Sequence, residues 1–196
     1  GRTDSSLDAL REAVRLDNAN QPAHLALARA YLAEQKPVEA EKEAWQALQL
    51  NPSNLEAAVI FGDALVLGKN WSKAENAYGA IIRQLPGHPV GYVKMAALRK
   101  VQGQSAEMAS LFSQALSHAP EDLVILQDYL MALVESKQEQ QADRVMGEYL
   151  RKGPRDPSLW RLAGRVYAAQ HKTEQAEKAF RKALALAPNL ALIHYE

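Results

Sequence analysis

Residues 154–188 read PRDPSLWRLAGRVYAAQHKTEQAEKAFRKALALAP, a stretch that opens and closes on proline. Between the two prolines lie two segments whose apolar residues recur at every third or fourth position, divided by the polar Gln170-His171-Lys172. That is the periodicity of two amphipathic helices joined by a tight turn. The spacing extends backwards along the chain: Pro52, Pro86, Pro120, Pro154 and Pro188 stand 34 residues apart. One further step lands on Asn18, in a Leu16-Asp17-Asn18 context much like Leu50-Asn51-Pro52. Five of the nine prolines share this phase. A fixed period of such length marks a solenoid, in which one supersecondary unit is stacked on copies of itself.

The other repeats carry the same two helical patterns. In the first, Pro22–Glu34 and Pro37–Leu50 each show the helical recurrence, and Pro37 suits a first turn, where its missing N–H leaves nothing unpaired. Later repeats place Gly68-Lys69-Asn70, Gln102-Gly103-Gln104 and Lys137-Gln138-Glu139 at the corresponding turn. Asn54, Asp122 and Asp156 stand where a side-chain acceptor caps the amides of a helix start. Ser53 with Glu56 three residues later has the form of a capping box.

Aligning 21–54, 55–88, 89–122, 123–156 and 157–190, with positions numbered from 1 in each repeat, exposes an internal code. Position 8 is Ala28, Gly62, Ala96, Leu130 and Gly164; position 20 is Ala40, Ala74, Met108, Ala142 and Ala176. Small residues there let two helix backbones approach closely. Position 24 is Ala44, Tyr78, Phe112, Met146 and Phe180, mostly large side chains expected to fill the space between neighbouring repeats.

On these residues the chain resembles the tetratricopeptide repeat family. Its pattern is Trp or Leu at 4, Leu at 7, Gly or Ala at 8, Tyr at 11, Ala at 20, an aromatic at 24, Ala at 27 and Pro at 32. Trp160, Gly164, Tyr167, Ala176, Phe180, Ala183 and Pro188 all fall on it, as do Leu27, Ala28, Tyr31, Ala40, Ala47 and Pro52. The resemblance implies an all-α fold, a right-handed α-solenoid of antiparallel helix pairs. It covers 1–196 as a single solenoid of five full repeats, with 4–18 a lone second helix (Leu10 and Ala13 at positions 24 and 27) and 191–196 the start of a further repeat. Two repeats depart from the pattern. Leu130 and Tyr149 stand where small residues are expected in 123–156, and Met108 and Arg99 depart in 89–122. Helices wedged apart or rotated, with an altered local superhelical curvature, are the expectation there.

Composition narrows the function. The chain has 196 residues, with 23 basic and 23 acidic side chains, so no net field draws in nucleic acid or an anionic membrane surface. The Arg151-Lys152 and Arg155 cluster reads as a solvated face. Without cysteine there are no disulfides or thiolate metal sites, and no apolar run approaches the ~20 residues of a membrane helix. Gly1-Arg2-Thr3-Asp4 reads as the start of an excised fragment, compatible with either the bacterial cytoplasm or the periplasm. No phosphate loop, HExxH or nucleophile elbow occurs. His24, His88, His118, His171 and His194 occupy unrelated repeat positions, none with another histidine three or four residues on. No cofactor, metal or catalytic role is expected of them. Asn70-Trp71-Ser72 satisfies the N-glycosylation sequon, although Trp71 is expected to pack at the start of a second helix.

The resemblance implies that first helices line a concave groove and contact a ligand from positions 2, 5, 6, 9, 12 and 13. Position 5 runs Leu25, Val59, Val93, Gln127 and Arg161; position 9 runs Arg29, Asp63, Ala97, Met131 and Arg165. The expected groove is apolar at its N-terminal end and basic at its C-terminal end. Leu25, Val59 and Val93 are equally suited to packing against neighbouring helices. Arg161 and Arg165, one turn apart, place like charges together, which reads either as a solvated face or as a site that invites an anion. Positions 5 and 9 hold no Lys and no Asn, so the family's carboxylate clamp for chaperone tails is not formed. The terminal Ala191-Leu192-Ile193-His194-Tyr195-Glu196 is too short to cover Phe180, Leu184 and Leu186, which implies either more repeats or self-association.

The function expected is a non-catalytic scaffold that binds a peptide or helix of a partner within a multiprotein assembly. The Ala- and Gln-rich repeats are similar to those of bacterial members serving exopolysaccharide export and envelope assembly. The alternatives are the regulatory arm of a larger enzyme and a self-assembling repeat domain.

Overall fold

The computed structural model describes residues 2–188, and among them eleven helices and no strand. The expectations for Gly1 and for 191–196 lie outside the described residues. After α1 (Arg2–Leu16), first helices of 13 residues alternate with second helices of 14. The first helices are α2 (Gln21–Ala33), α4 (Leu55–Leu67), α6 (Pro89–Val101), α8 (Leu123–Glu135) and α10 (Pro157–Ala169). The second helices are α3 (Pro37–Leu50), α5 (Trp71–Gln84), α7 (Ser105–His118), α9 (Glu139–Lys152) and α11 (Thr173–Leu186). The fold is all-α and built from helix pairs, as an α-solenoid is. Two compact units divide it, Gly1–Leu98 and Arg99–Glu196.

Every turn inside a repeat closes in the same way. The residue at position 15 adopts a left-handed conformation: Gln35, Lys69, Gly103, Lys137 and His171, with φ between 58° and 74°. The next amide then reaches back five residues, as in Lys36 N to Tyr31 O at 2.8 Å and Lys172 N to Tyr167 O at 2.9 Å. This Schellman closure satisfies carbonyls that the helix end leaves open. Only Gly103 is the residue type that adopts this conformation without strain. Trp71 opens α5 and is half-buried.

First helices start on side-chain caps. Asn20 Oδ1 accepts from Ala23 N at 3.0 Å, and Asn54 Oδ1 from Ala57 N at 2.8 Å. Asp122 Oδ1 takes Val124 N and Ile125 N, and Asp156 Oδ1 takes Ser158 N at 2.8 Å. The capping box expected at Ser53 does not form. Asn54 occupies the cap, and Glu56 instead pairs with Arg29.

Where position 4 carries a ring with a polar atom, it reaches the backbone carbonyl at position 32 of the repeat before. Tyr92 Oη donates to Pro86 O at 3.1 Å, and Trp160 Nε1 donates to Pro154 O at 2.9 Å. His24 Nε2 lies 3.1 Å from Asn18 O, so Asn18 takes the in-phase role of the prolines. On its other side, His24 Nδ1 meets the buried Glu43 carboxylate at 2.7 Å.

Position 24 packs differently from the sequence expectation. Tyr78 is buried against Gly62 of its own repeat, where an added Cβ would stand 2.2 Å from Tyr78 Cε1. Phe180 lies on Gly164 in the same way, at 2.5 Å. Positions 8 and 24 are thus partners across one helix pair: the missing Cβ makes the room that the ring fills. In the first compact unit, Leu7 of α1 joins Leu27, Tyr31, Ala40 and Ala64 in one core. In the second, Leu130 and Met146 are both fully buried where a small residue faces a ring elsewhere. Fewer backbone positions of α8 and α9 lie close together than of α10 and α11. Helix α9 buries only Ala142 and Met146.

Candidate protein-binding faces

In the first compact unit, α2 and α4 lie side by side, and the residues expected to face a ligand divide by what they touch. Leu25 is 8% exposed and belongs to a core with Ala28, Ala44, Ala47, Ala57 and Ile60. Its surface is taken up by packing. Val59 and Val93 are half-buried. Arg29 is exposed and forms an ion pair with Glu56 on the neighbouring first helix. Asp63 is a junction: its Oδ1 accepts from Tyr78 Oη at 2.6 Å and its Oδ2 from Lys94 Nζ at 2.7 Å. Burial, with the adjacent Asp63 charge, pushes the Tyr78 phenol far above its usual range, so it remains a donor. One carboxylate thereby ties α4 to α5 and to α6.

In the second compact unit, α8 and α10 are the neighbouring first helices. Arg161 and Arg165 are exposed on α10, one helical turn apart. Arg165 Nη1 donates to Gln127 Oε1 on α8 at 2.5 Å, and Met131 on the next turn of α8 is half-buried. Asp128 beside Gln127 has its pKa raised by burial; Asp122 adds to the rise, while Lys100 and Arg165 oppose it. Lys100 Nζ itself reaches Glu135 at 3.0 Å. The face therefore carries cationic side chains on α10 and the apolar Met131 on α8.

The repeat register puts positions 5 and 9 on first helices but does not pair them. The signal was present: position 9 meets position 2 or 6 of the next repeat, as in Arg29–Glu56 and Asp63–Lys94. Among the described residues, no group of three or more His, Asp or Glu is placed to hold a metal ion. None of the described helices is long and apolar enough to cross a membrane.

Tandem helix pairs with small-residue crossings and a first-helix face define a helical-repeat protein of the α-solenoid class. Two family models, both described as tetratricopeptide repeat, match residues 25–89 and 157–190, about half of the chain. The chain belongs to the tetratricopeptide repeat family. No curated protein matches it. Among solved structures, it is similar to a tetratricopeptide repeat protein from Parabacteroides merdae, with 20% identity and a TM-score of 0.65. That match covers 95% of this chain and 73% of the other. Pseudomonas aeruginosa pilF gives 18% identity and a TM-score of 0.65 over 96% of this chain and 86% of its own. YrrB, described as a TPR protein with an unusual peptide-binding site, gives 16% and 0.56 over 93% and 94%. At these identities the likeness is one of fold. The family and the fold are those of protein–protein interaction scaffolds.

Proposed function

We propose that the chain holds a segment of a partner protein on the first-helix face of its second compact unit, with acidic groups of the partner meeting α10. The observation that carries this reading is the exposed pair Arg161 and Arg165, one turn apart on α10. Guanidinium groups exposed side by side recognise carboxylates through paired N–H donors. Arg165 rests on the neutral amide of Gln127, an interaction that positions the guanidinium without cancelling its charge. Met131 supplies apolar surface on the neighbouring helix, so the fitting ligand is a helix or extended segment with apolar residues and an acidic end.

In the first compact unit, Val59 and Val93 offer partly covered apolar surface, while Arg29 and Asp63 are engaged within the protein. The setting we propose is a multiprotein assembly, of the kind that bacterial envelope and exopolysaccharide-export members of the family serve. The test is a pull-down with the parent chain and with the Arg161→Glu, Arg165→Glu double variant. Loss of a partner by the double variant supports the reading, and retention of every partner refutes it.

A further inference from the structure

Asp128 stands on the same face of α8 as Met131, opposite the arginines of α10. Val124, Asp128 and Met131 follow one another at spacings of four and three residues, which lines them up on one side of the helix. Val124 is 68% exposed, and Asp128 and Met131 are half-buried. The residue before Asp128 is Gln127, whose side-chain oxygen accepts from the Arg165 guanidinium at 2.5 Å. A partner carboxylate that meets Arg165 therefore arrives beside a carboxylate of the chain itself.

The charges around Asp128 come from several elements. Lys100 at the end of α6 and Arg165 on α10 favour its ionised form, while Asp122, ahead of α8, opposes it. Neither cation is dedicated to Asp128: Lys100 Nζ lies 3.0 Å from Glu135, and Arg165 donates to Gln127. On α7 the Glu107 carboxylate is held by Arg99, and on α9 that of Asp143 is held by Lys172. Burial adds to the cost of the Asp128 charge, so the folded protein holds this proton more tightly than an ordinary carboxyl does. The field of Arg165 is thus one of two that keep Asp128 ionised, and it is the one that an acidic ligand neutralises.

We propose, resting on the docking of acidic groups at α10, that Asp128 is a specificity-determining residue of this face. It opposes an acidic segment until its own carboxylate takes up a proton. The proton comes from solvent and settles on an Asp128 carboxylate oxygen, so one negative charge leaves the face as another arrives. Binding and protonation then favour each other by the same factor, as linkage between two sites requires. Acidic segments are held weakly at neutral pH and more tightly as pH falls through the range where Asp128 is protonated.

The probes are acidic dodecapeptides selected by display on the chain, kept only where Arg161→Glu with Arg165→Glu abolishes binding. Fluorescence polarisation measures their affinity for the parent and for Asp128→Asn from about pH 7 to about pH 5, above the usual carboxyl range. Asparagine keeps the shape and removes the charge, and a cooperative melt shows that the variant folds.

The expected result is binding by Asp128→Asn about fivefold or more tighter at neutral pH, with the ratio to the parent shrinking in acid. In the parent, carbon-13 NMR of the Asp128 carboxyl should show its titration moving to higher pH when peptide is bound. Equal or weaker binding by Asp128→Asn overturns the proposal while leaving docking at the arginines intact; weaker binding would make Asp128 the contact of a cationic group. A gain that does not shrink in acid, or an Asp128 titration unmoved by peptide, also overturns it. If no peptide depends on the arginines, docking at α10 fails and the proposal falls with it.

Discussion

The Tyr149 hydroxyl donates to the carbonyl oxygen of Pro120 at 2.8 Å, 29 residues away. Tyr149 sits at a position where the family pattern calls for alanine, and by sequence it looks like a defect. Its repeat also has Leu126 at position 4, which has no donor for the carbonyl of the preceding proline. In the other compact unit Tyr92 supplies that donor, and further along the chain Trp160 does. Tyr149 restores the same joint from the second helix. Burial raises its phenol pKa, with the Glu148 charge reinforcing the rise, so it stays protonated as a donor at neutral pH. Tyr149→Phe should lower unfolding free energy by about 1 kcal/mol, the usual net value of one hydrogen bond. Urea denaturation measures it, and an unchanged midpoint would remove the joint from the account.

The left-handed residue in each inner turn gives a second prediction. Lys69, Lys137 and His171 adopt φ near 60°, where a Cβ costs about 1 kcal/mol relative to glycine. Replacing each with Gly should raise the melting temperature. Gly103→Ala should lower it by a comparable amount, since nothing else lies within 4 Å of the new Cβ.

Gly62→Ala sets helix propensity against packing. Alanine gains about 1 kcal/mol inside a helix. The added methyl, however, would stand 2.2 Å from Tyr78 Cε1, and the ring is held at its far end by Asp63 at 2.6 Å. Overpacking of this kind costs about 1–3 kcal/mol and should win. A net loss of stability is expected, relieved by Tyr78→Leu in the same chain.

Asp128 carries the pH dependence. Its folded pKa is raised, chiefly by burial, so the folded state binds its proton more tightly than the unfolded state does. The resulting penalty is present at neutral pH and is relieved as pH falls through the raised pKa. Asp128→Asn should therefore be more stable than the parent near neutral pH, with the difference shrinking in acid. Thermal melts at both pH values check the sign.

Much of the fold was legible because its determinants are local and periodic. Prolines in phase, small residues at position 8 and the caps at Asn54, Asp122 and Asp156 each act within one helix pair or one turn. The left-handed turns escaped notice because four of the five are filled by Gln, Lys or His, whose sequence signal is weak. Tyr78 was assigned to the gap between repeats because position numbers give a direction without a partner, and its partner is Gly62. The binding face was only half legible for a related reason. Register places Leu25 and Asp63 on first helices, but whether a side chain is free depends on its neighbours: Leu25 is taken up by the core and Asp63 by Tyr78 and Lys94.

The most direct test of partner binding on the first-helix face is site-specific photo-crosslinking in the intact chain. A photoreactive side chain at Ala168, exposed on α10 at position 12, is compared with one at Lys178, exposed on α11. The account predicts that partner protein is captured from Ala168 and not from Lys178, and that Arg161→Glu with Arg165→Glu abolishes the adduct. Capture from Lys178 with none from Ala168, or an adduct indifferent to the arginines, would contradict it.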